Sequence, residues 1–336
     1  MAELLDATGP ADTAIDTQTD AAVERAVAIA AAALTAGKLV AFPTETVYGL
    51  GADASNAAAV ASIFAAKGRP PGHPLIVHMA SAADLDRFGR NVSPLAHKLG
   101  VAFWPGPLTI VVERADSVAP ETAGGLDTVG LRVPDHPVTL QLLNEFGGGV
   151  AGPSANRFGS VSPTTAAHVV DDLGSVIDFV LDGGPCAVGV ESTIVDVTGP
   201  APVLLRPGGI SAVEIEAVLG VSVEDGRAGP SRAPGMLASH YAPEVTVELI
   251  EQSQVDDALA VASSADQPVG LIAPDVKGHS PSWQLPADAG GYAAQLYAAL
   301  RAADQHNLQR LLVVPPRTGP LLDAVIDRLQ KAAAPR

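Results

Sequence analysis

Five short polar clusters, each beside glycine or proline, carry the residue types in this chain that can do chemistry. The first, residues 42–49, holds Thr44, Glu45 and Thr46 ahead of Tyr48 and Gly49. Small hydroxyls there can hydrogen-bond a substrate amine or carboxylate, and they can equally cap a turn locally. The second runs Lys67-Gly68-Arg69-Pro70-Pro71-Gly72-His73-Pro74, with His78 beyond it. A lysine point charge and a guanidinium fork on a proline-stiffened loop suit a polyphosphate or a carboxylate. Their competing role is a pair of helix C-terminal cations answering the macrodipole; the rigid prolines favour the ligand. His73 by itself reads as a loop histidine, and His78, ending a strand, is open to either reading.

The third cluster is Gly152-Pro153-Ser154-Ala155-Asn156, followed by Ser162. Backbone N–H groups, a hydroxyl and an amide after a strand can form an anion or adenine site, although Ser162 also suits a plain N-cap. The fourth, Glu191-Ser192-Thr193, opens an apolar strand, and the fifth places Arg206 at the close of the next. Charged groups in such positions are costly to bury without a partner, which makes them site candidates. Neither a phosphate-binding P-loop nor a His-Glu-x-x-His or Gly-x-Ser-x-Gly motif occurs. Gly49-Leu50-Gly51 imitates a dinucleotide fingerprint, but its spacing from the strand is too tight and no acid sits about 20 residues later. Cys186, the single cysteine, lacks a basic neighbour and reads as a buried structural thiol.

The elements that must position these clusters follow from periodicity. Helices are expected over residues 20–37, 56–67, 94–101, 137–146, 164–173 and 212–219. Buried strands are expected over 38–42, 75–78, 108–112, 129–133, 176–181, 192–197 and 203–205. Four of the five clusters then abut strand ends, where open α/β sheets bind ligands. Residues 221–243, rich in Gly, Pro, Ser and Arg, read as a linker. Beyond it, strand–helix alternation over 245–331 gives three β–α units and a small parallel sheet. The expected organisation is a tail at 1–20, a catalytic α/β domain at 21–220, a linker or lid at 221–243 and a second α/β domain at 244–336.

With 336 residues and 47% hydrophobic composition, each domain can bury a core, and one cysteine excludes a disulfide framework or a Cys-rich zinc site. The longest apolar run is too short for a membrane span, and the N-terminus lacks a secretory signal pattern, so a soluble protein of a reducing compartment, the cytoplasm, is expected. A net charge of −17 argues against a general nucleic-acid coat. Five of the acids fall in residues 1–20 with no Lys or Arg, leaving −12 on the rest, and that aperiodic segment reads as a disordered tail. An RNA-binding module with a local basic patch is the competing class, separable by the salt dependence of tRNA binding.

Taken in order, the clusters resemble the YrdC/TsaC-like threonylcarbamoyl-AMP synthases, in the long form with a C-terminal extension. The resemblance rests on Pro43-Thr44-Glu45-Thr46-Val47-Tyr48-Gly49-Leu50-Gly51, Lys67-x-Arg69-Pro70 and Pro74-Leu75-Ile76-Val77-His78. It continues through Trp104-Pro105-Gly106-Pro107, Thr128-Val129-x-Leu131-Arg132, Pro153-Ser154-Ala155-Asn156, Glu191-Ser192-Thr193 and Leu205-Arg206-Pro207-Gly208. Ala233-Pro234-Gly235-Met236 and His240-Tyr241-Ala242-Pro243 match the long form's linker. It implies a YrdC-like twisted open-sheet domain followed by a smaller Rossmann-like α/β domain.

The implied reaction joins L-threonine, bicarbonate and Mg²⁺-bound ATP into threonylcarbamoyl-adenylate and pyrophosphate. A partner transferase complex then modifies an adenosine of tRNA, so direct tRNA binding is at most weak and no membrane is involved. The resemblance assigns Lys67, Arg69, Ser154 and Asn156 to the nucleotide, and adds Thr128, Ser162, Arg206 and Tyr241 to that end. It assigns Thr44, Thr46, His78, Arg132 and Ser192 to threonine. His73 stands where many members carry Asn, and imidazole still offers one hydrogen bond. No general base and no metal ligand is expected; Lys67 and Arg69 would act by transition-state electrostatics. Tyr241 would close as a lid. Carbamoyl transfer to another acceptor occurs in related hydrogenase-maturation factors, but their zinc-finger-like Cys clusters are absent here.

Overall fold

The computed structural model describes residues 1–8, 17–227, 234–235, 241–264, 267–276 and 278–335. A large mixed sheet forms the first domain. In spatial order its strands are Glu3–Asp6, Phe179–Asp182, Val40–Phe42, Gly49–Asp53, Val150–Ala151, Ile76–His78, Thr128–Arg132, Leu108–Arg114, Thr193–Asp196, Val203–Arg206 and Glu224–Asp225. Gly89–Arg90 pairs beside Leu108–Arg114. The core fills between this sheet and helices such as Ala57–Lys67, Pro94–Phe103 and Ala166–Leu173 through Leu50, Ile63, Leu75, Leu99, Leu131 and Val169.

Two sequence expectations are corrected here. The segment expected as a tail supplies the strand Glu3–Asp6, which lies parallel to Phe179–Asp182 and buries Leu5, so backbone pairing and one apolar anchor outweigh its acidic composition. The helix after it runs Thr17–Thr35, beginning before Asp20; residues 9–16 lie outside the described residues. The expected linker likewise gives Glu224–Asp225 to the first sheet, parallel to Val203–Arg206. Ala233, Met236 and His240 of the linker motifs lie outside the described residues.

Short elements were harder to read. The strand Gly49–Asp53 pairs antiparallel with Val40–Phe42 where an irregular stretch was expected. Its glycines answer a close approach: a Cβ at Gly49 would meet the Phe42 ring at 2.7 Å, and one at Gly51 at 2.9 Å. They serve sheet packing rather than a dinucleotide turn.

In the second domain four strands, Thr246–Leu249, Arg310–Val313, Val269–Ala273 and Ser282–Gln284, pair in that order and all in parallel. Ser282–Gln284 had no sequence signal, being three polar or aromatic residues at an edge. The helices Ala289–Asp304 and Leu322–Ala333 carry apolar faces toward the first domain. One cluster joins Val47, Val161 and Val190 of the first domain to Tyr292, Leu296 and Tyr297 of the second. Gly189, at φ +80°, lets the chains touch, since a Cβ there would meet the Ala293 carbonyl oxygen at 2.3 Å. The domains thus share a core, unlike the polar contacts of loosely tethered domains.

Candidate active site

A cleft opens at the strand ends of the first sheet, bordered by the linker residues Pro234, Gly235 and Tyr241. Its first cationic group arises from a helix ending. Asn56 caps the helix Ala57–Lys67 at its start, and Gly68 closes it at φ +62°, with the Arg69 amide donating back to the Phe64 carbonyl. That left-handed cap, natural to glycine, places Lys67 and Arg69 on the same wall. Lys67 is buried, and its Nζ donates to the carbonyl oxygens of Ser154 and Asn156. The ammonium therefore shapes the Ser154–Asn156 loop as well as charging the cleft. Burial, aided by Arg69, holds its pKa well below the usual lysine range.

Arg69 donates to the Pro74 carbonyl at 3.2 Å and lies 6.0 Å from the Phe64 and Phe158 ring centres. Its Nε is buried without a hydrogen-bond partner, and burial lowers the guanidinium to about 10. His73 sits against Phe158, ring centres 5.7 Å apart, on the same rim. Asn156 donates from Nδ2 to the carbonyls of Arg157 and Ser160, leaving Oδ1 as a buried acceptor without a partner. Such an acceptor on a cleft wall is a binding group waiting for a donor.

The other end is built on Arg132, the last residue of its strand. Its Nη2 lies 2.5 Å from Glu45 Oε1, Nη1 donates to Thr46 Oγ1 at 3.0 Å, and Nε donates to the Gly106 carbonyl at 3.2 Å. The two threonines differ. Thr44 Oγ1 accepts from the Thr46 and Val47 amides and lies 2.6 Å from the Val47 carbonyl, so it mainly builds the turn. Thr46 presents its hydroxyl to Arg132. His78 packs edge-on to Phe42 with Nδ1 unpartnered. Ser192 Oγ lies 2.8 Å from Thr109 Oγ1 and accepts from Arg206 Nη2 at 3.1 Å; Arg206 Nη1 reaches the Pro234 carbonyl.

Burial, reinforced by Arg132, pushes the His78 imidazole down to about 3 from 6.5. The unfolded chain takes up a proton near 6.5 and the folded chain resists it, so this contribution is full above that value and is lost as pH falls toward 3. We expect His78 to remove about 2 kcal/mol of stability between pH 7 and pH 5, with a smaller loss in His78→Gln. Burial lowers His136 and His168 in the same direction, adding to the slope. Denaturant titrations across that interval check this; an unchanging wild-type midpoint contradicts a buried neutral imidazole.

Of the fourteen sequence candidates, the cleft gathers twelve and excludes two. Thr128 begins the strand that Arg132 ends, paired with Glu113 and about 13 Å along the strand from Arg132 at the usual rise per residue. Ser162 lies behind the wall, its hydroxyl donating to Glu191 Oε1 at 2.6 Å. The resemblance carried both onto the nucleotide; neither is among the residues that line the cleft. Phe158, which no cluster contained, also lines the cleft; Glu45 and Glu191, members of the first and fourth clusters, buttress or line it and were given no ligand. Glu191 had its signal as a charged residue opening an apolar strand, whereas Glu45 sits among the threonines of a polar loop and had none beyond its cluster. Cys186 is buried, its thiol pushed up to about 12 by burial, in keeping with a structural role.

Comparison with known proteins accounts for this arrangement. A Sua5/YciO/YrdC family model, described as telomere recombination, matches residues 32–208. A model described as the threonylcarbamoyl-AMP synthase C-terminal domain matches residues 210–334. The chain is 40% identical over 321 residues to the threonylcarbamoyl-AMP synthase of Pyrococcus abyssi, covering 92% of this chain and 94% of that one. It is 40% identical over 324 residues to that of Bacillus subtilis, covering 92% and 93%. A crystal structure of P. abyssi Sua5 complexed with L-threonine superposes with a TM-score of 0.91 at 37% identity, covering 99% of this chain and 98% of that one.

Together, the open twisted sheet, the cationic cleft at its strand ends and the appended parallel-sheet domain define a two-domain YrdC-like enzyme. The chain belongs to the threonylcarbamoyl-AMP synthase family. Among the described residues no helix is long and apolar enough to cross a membrane, and no group of three His, Cys, Asp or Glu side chains is placed to hold a metal ion.

Proposed function

We propose that this protein makes threonylcarbamoyl-AMP and pyrophosphate from L-threonine, bicarbonate and ATP, supplying a transferase complex that modifies tRNA. The observation that carries the reading is the convergence of Lys67, Arg69, Arg132 and Arg206 on one cleft that also holds Thr46, Ser154 and Ser192. Both substrates with a fixed charge are anionic where they must be gripped, at a carboxylate and at a triphosphate. Arg132 and Ser192 suit the threonine carboxylate, as a fork and a hydroxyl do. Lys67, Arg69 and Arg206 suit the phosphates, with Ser154 and the free Asn156 acceptor toward the nucleoside; His73 on the rim offers one further donor.

In the reaction the threonine amine adds to bicarbonate, water departs, and a carbamate forms. A carbamate oxygen then attacks the α-phosphorus of ATP as the bond to pyrophosphate breaks. Charge grows on the α-phosphate oxygens and on the leaving group, so preorganised cations lower the barrier most. The residues present need only position and neutralise; amine deprotonation is served by solvent or a phosphate oxygen. Magnesium would enter with ATP as part of the substrate and would supply further positive charge against the phosphates.

Tyr241 at the linker closes the nucleotide end. It is 1% exposed, stacked at 6.0 Å on Tyr297 of the second domain, and holds φ +59°. A tyrosine in that conformation is strained and persists because its surroundings fix it. Closed in this way it shields a labile adenylate from water. Tyr241→Ala should lower adenylate yield about tenfold while ATP consumption falls less; equal yields per ATP consumed would sink the lid. With its one thiol buried, the protein suits the reducing cytoplasm.

The direct test is mass analysis of the product formed from ¹³C-bicarbonate. The reading predicts an adenylate carrying one labelled carbon and one threonine; an unlabelled threonyl adenylate would overturn it.

A further inference from the structure

Among the second-domain side chains that buttress the cleft wall, Tyr297, Lys331 and Arg328, it is Arg328 that makes the most contacts. Arg328 lies in the helix Leu322–Ala333, on its packed face beside Val325 and Leu329, and is 1% exposed. Its Nε donates to Glu191 Oε2 at 2.7 Å, and Nη2 donates to the Pro207 carbonyl at 3.1 Å. Its guanidinium stands 5.1 Å from the Tyr241 ring centre, and Nη1 pairs with Asp327. One guanidinium thereby grips the residue before Ser192, the residue after Arg206, and the linker tyrosine.

Glu191 is the reason this grip matters to a ligand. Glu191 lines the cleft, and its carboxylate, turned to the back of that wall, accepts also from Ser162 and, at 2.9 Å, from the Tyr297 hydroxyl. An anion on the wall of a polyphosphate site repels its ligand unless a fixed cation offsets it. It would also draw Arg206, the neighbouring cation, away from phosphate. Burial alone would raise the Glu191 carboxyl, yet Arg328 and Arg206 bring it down to about 2, so it stays an anion at neutral pH.

We infer that Arg328 is a positioning residue of the second domain that neutralises Glu191 and so keeps Arg206 and Tyr241 set for the triphosphate. This rests on the reading of the cleft as an ATP site. It gives the C-terminal domain a defined part in nucleotide binding: it supplies the counter-charge without touching the ligand. The threonine end, held by Arg132 and Glu45, has no contact with Arg328 among those described. Its affinity should be indifferent to the change.

The test is calorimetric binding of Mg²⁺–ATP and, separately, L-threonine to the full-length chain. In Arg328→Met, ATP should bind about 30-fold more weakly, and L-threonine within about threefold of wild type, because a buried carboxylate in the cleft wall loses its main counter-charge and competes with phosphate for Arg206. Adding Glu191→Gln removes that carboxylate and should return ATP affinity to within about fivefold of wild type. A plain domain-gluing role predicts no such recovery. ATP affinity unchanged in Arg328→Met, equal losses for both ligands, or no recovery in the double variant would overturn the inference. Should Arg328→Met fail to fold, the uncharged double variant decides alone, by its ATP affinity. Because binding is read without turnover, wild type that binds ATP yet makes no adenylate refutes the proposed reaction and leaves this test standing.

Discussion

Lys67→Met should lower kcat for pyrophosphate release by about 10³-fold while the protein remains folded. Two effects act on stability and oppose one another. The substitution leaves the Ser154 and Asn156 carbonyls without their donor, which destabilises. It also removes an ammonium that burial holds far from its preferred state, which stabilises. The net change in midpoint should stay below about 5 °C for a chain of this size. Activity has no such offset. Lys67 is buried in the cleft wall, and the loop its ammonium shapes carries Ser154 and Asn156. Lys67→Arg should not rescue, because a planar fork cannot meet two converging carbonyls as a compact ammonium does. Steady-state pyrophosphate release with parallel thermal melts checks both halves.

Arg132→Met should do the reverse in stability. Glu45 is 7% exposed, and its Oε1 faces the guanidinium at 2.5 Å while Oε2 accepts from the Asp135 amide at 3.1 Å. Breaking a buried pair by deleting one partner costs about 3–5 kcal/mol, because the remaining charge is left uncompensated. KM for threonine should rise about 100-fold in the same variant, since the fork that meets a carboxylate is gone. The two losses separate in the double variant Glu45→Gln/Arg132→Met, which should regain most of the stability and none of the threonine affinity. Denaturant melts and threonine titrations of the four proteins close the cycle. Recovery of both together would mean that Arg132 acts only as scaffold.

Most of the cleft was legible before any coordinates, for a physical reason. Lys67 and Arg69 form a basic pair on a proline-stiffened loop after a helix, and Glu191 and Arg206 open and close apolar strands, while Arg132 came from the family resemblance. Such positions violate the local hydrophobic pattern, and that violation is the signal. Helices with caps were equally plain: Pro137–Phe146 and Ala212–Leu219 fall where proline, serine and glycine mark them. What escaped notice depends on tertiary partners. Glu3–Asp6 is acidic and short, and only its pairing with Phe179–Asp182 makes it a strand. Ser162 and Thr128 have the right residue types in the right order, but hydroxyl direction is set by neighbours distant in sequence, Glu191 in one case and strand polarity in the other. Arg328 was invisible for the same reason. In a helix with charged neighbours it reads as a solvated side chain, and only docking of the second domain buries it against Glu191.

The acidic balance of the chain fits this account. A −17 protein whose product is a small adenylate needs no broad basic face; it needs a few cations placed where the anions of its substrates go. Pyrophosphate release by the purified full-length chain, with ATP, bicarbonate and L-threonine each omitted in turn, tests that claim most directly. Release should require all three and fall to background without any one of them. Undiminished release in the absence of threonine or of bicarbonate would contradict the assignment of this cleft to threonylcarbamoyl-adenylate synthesis.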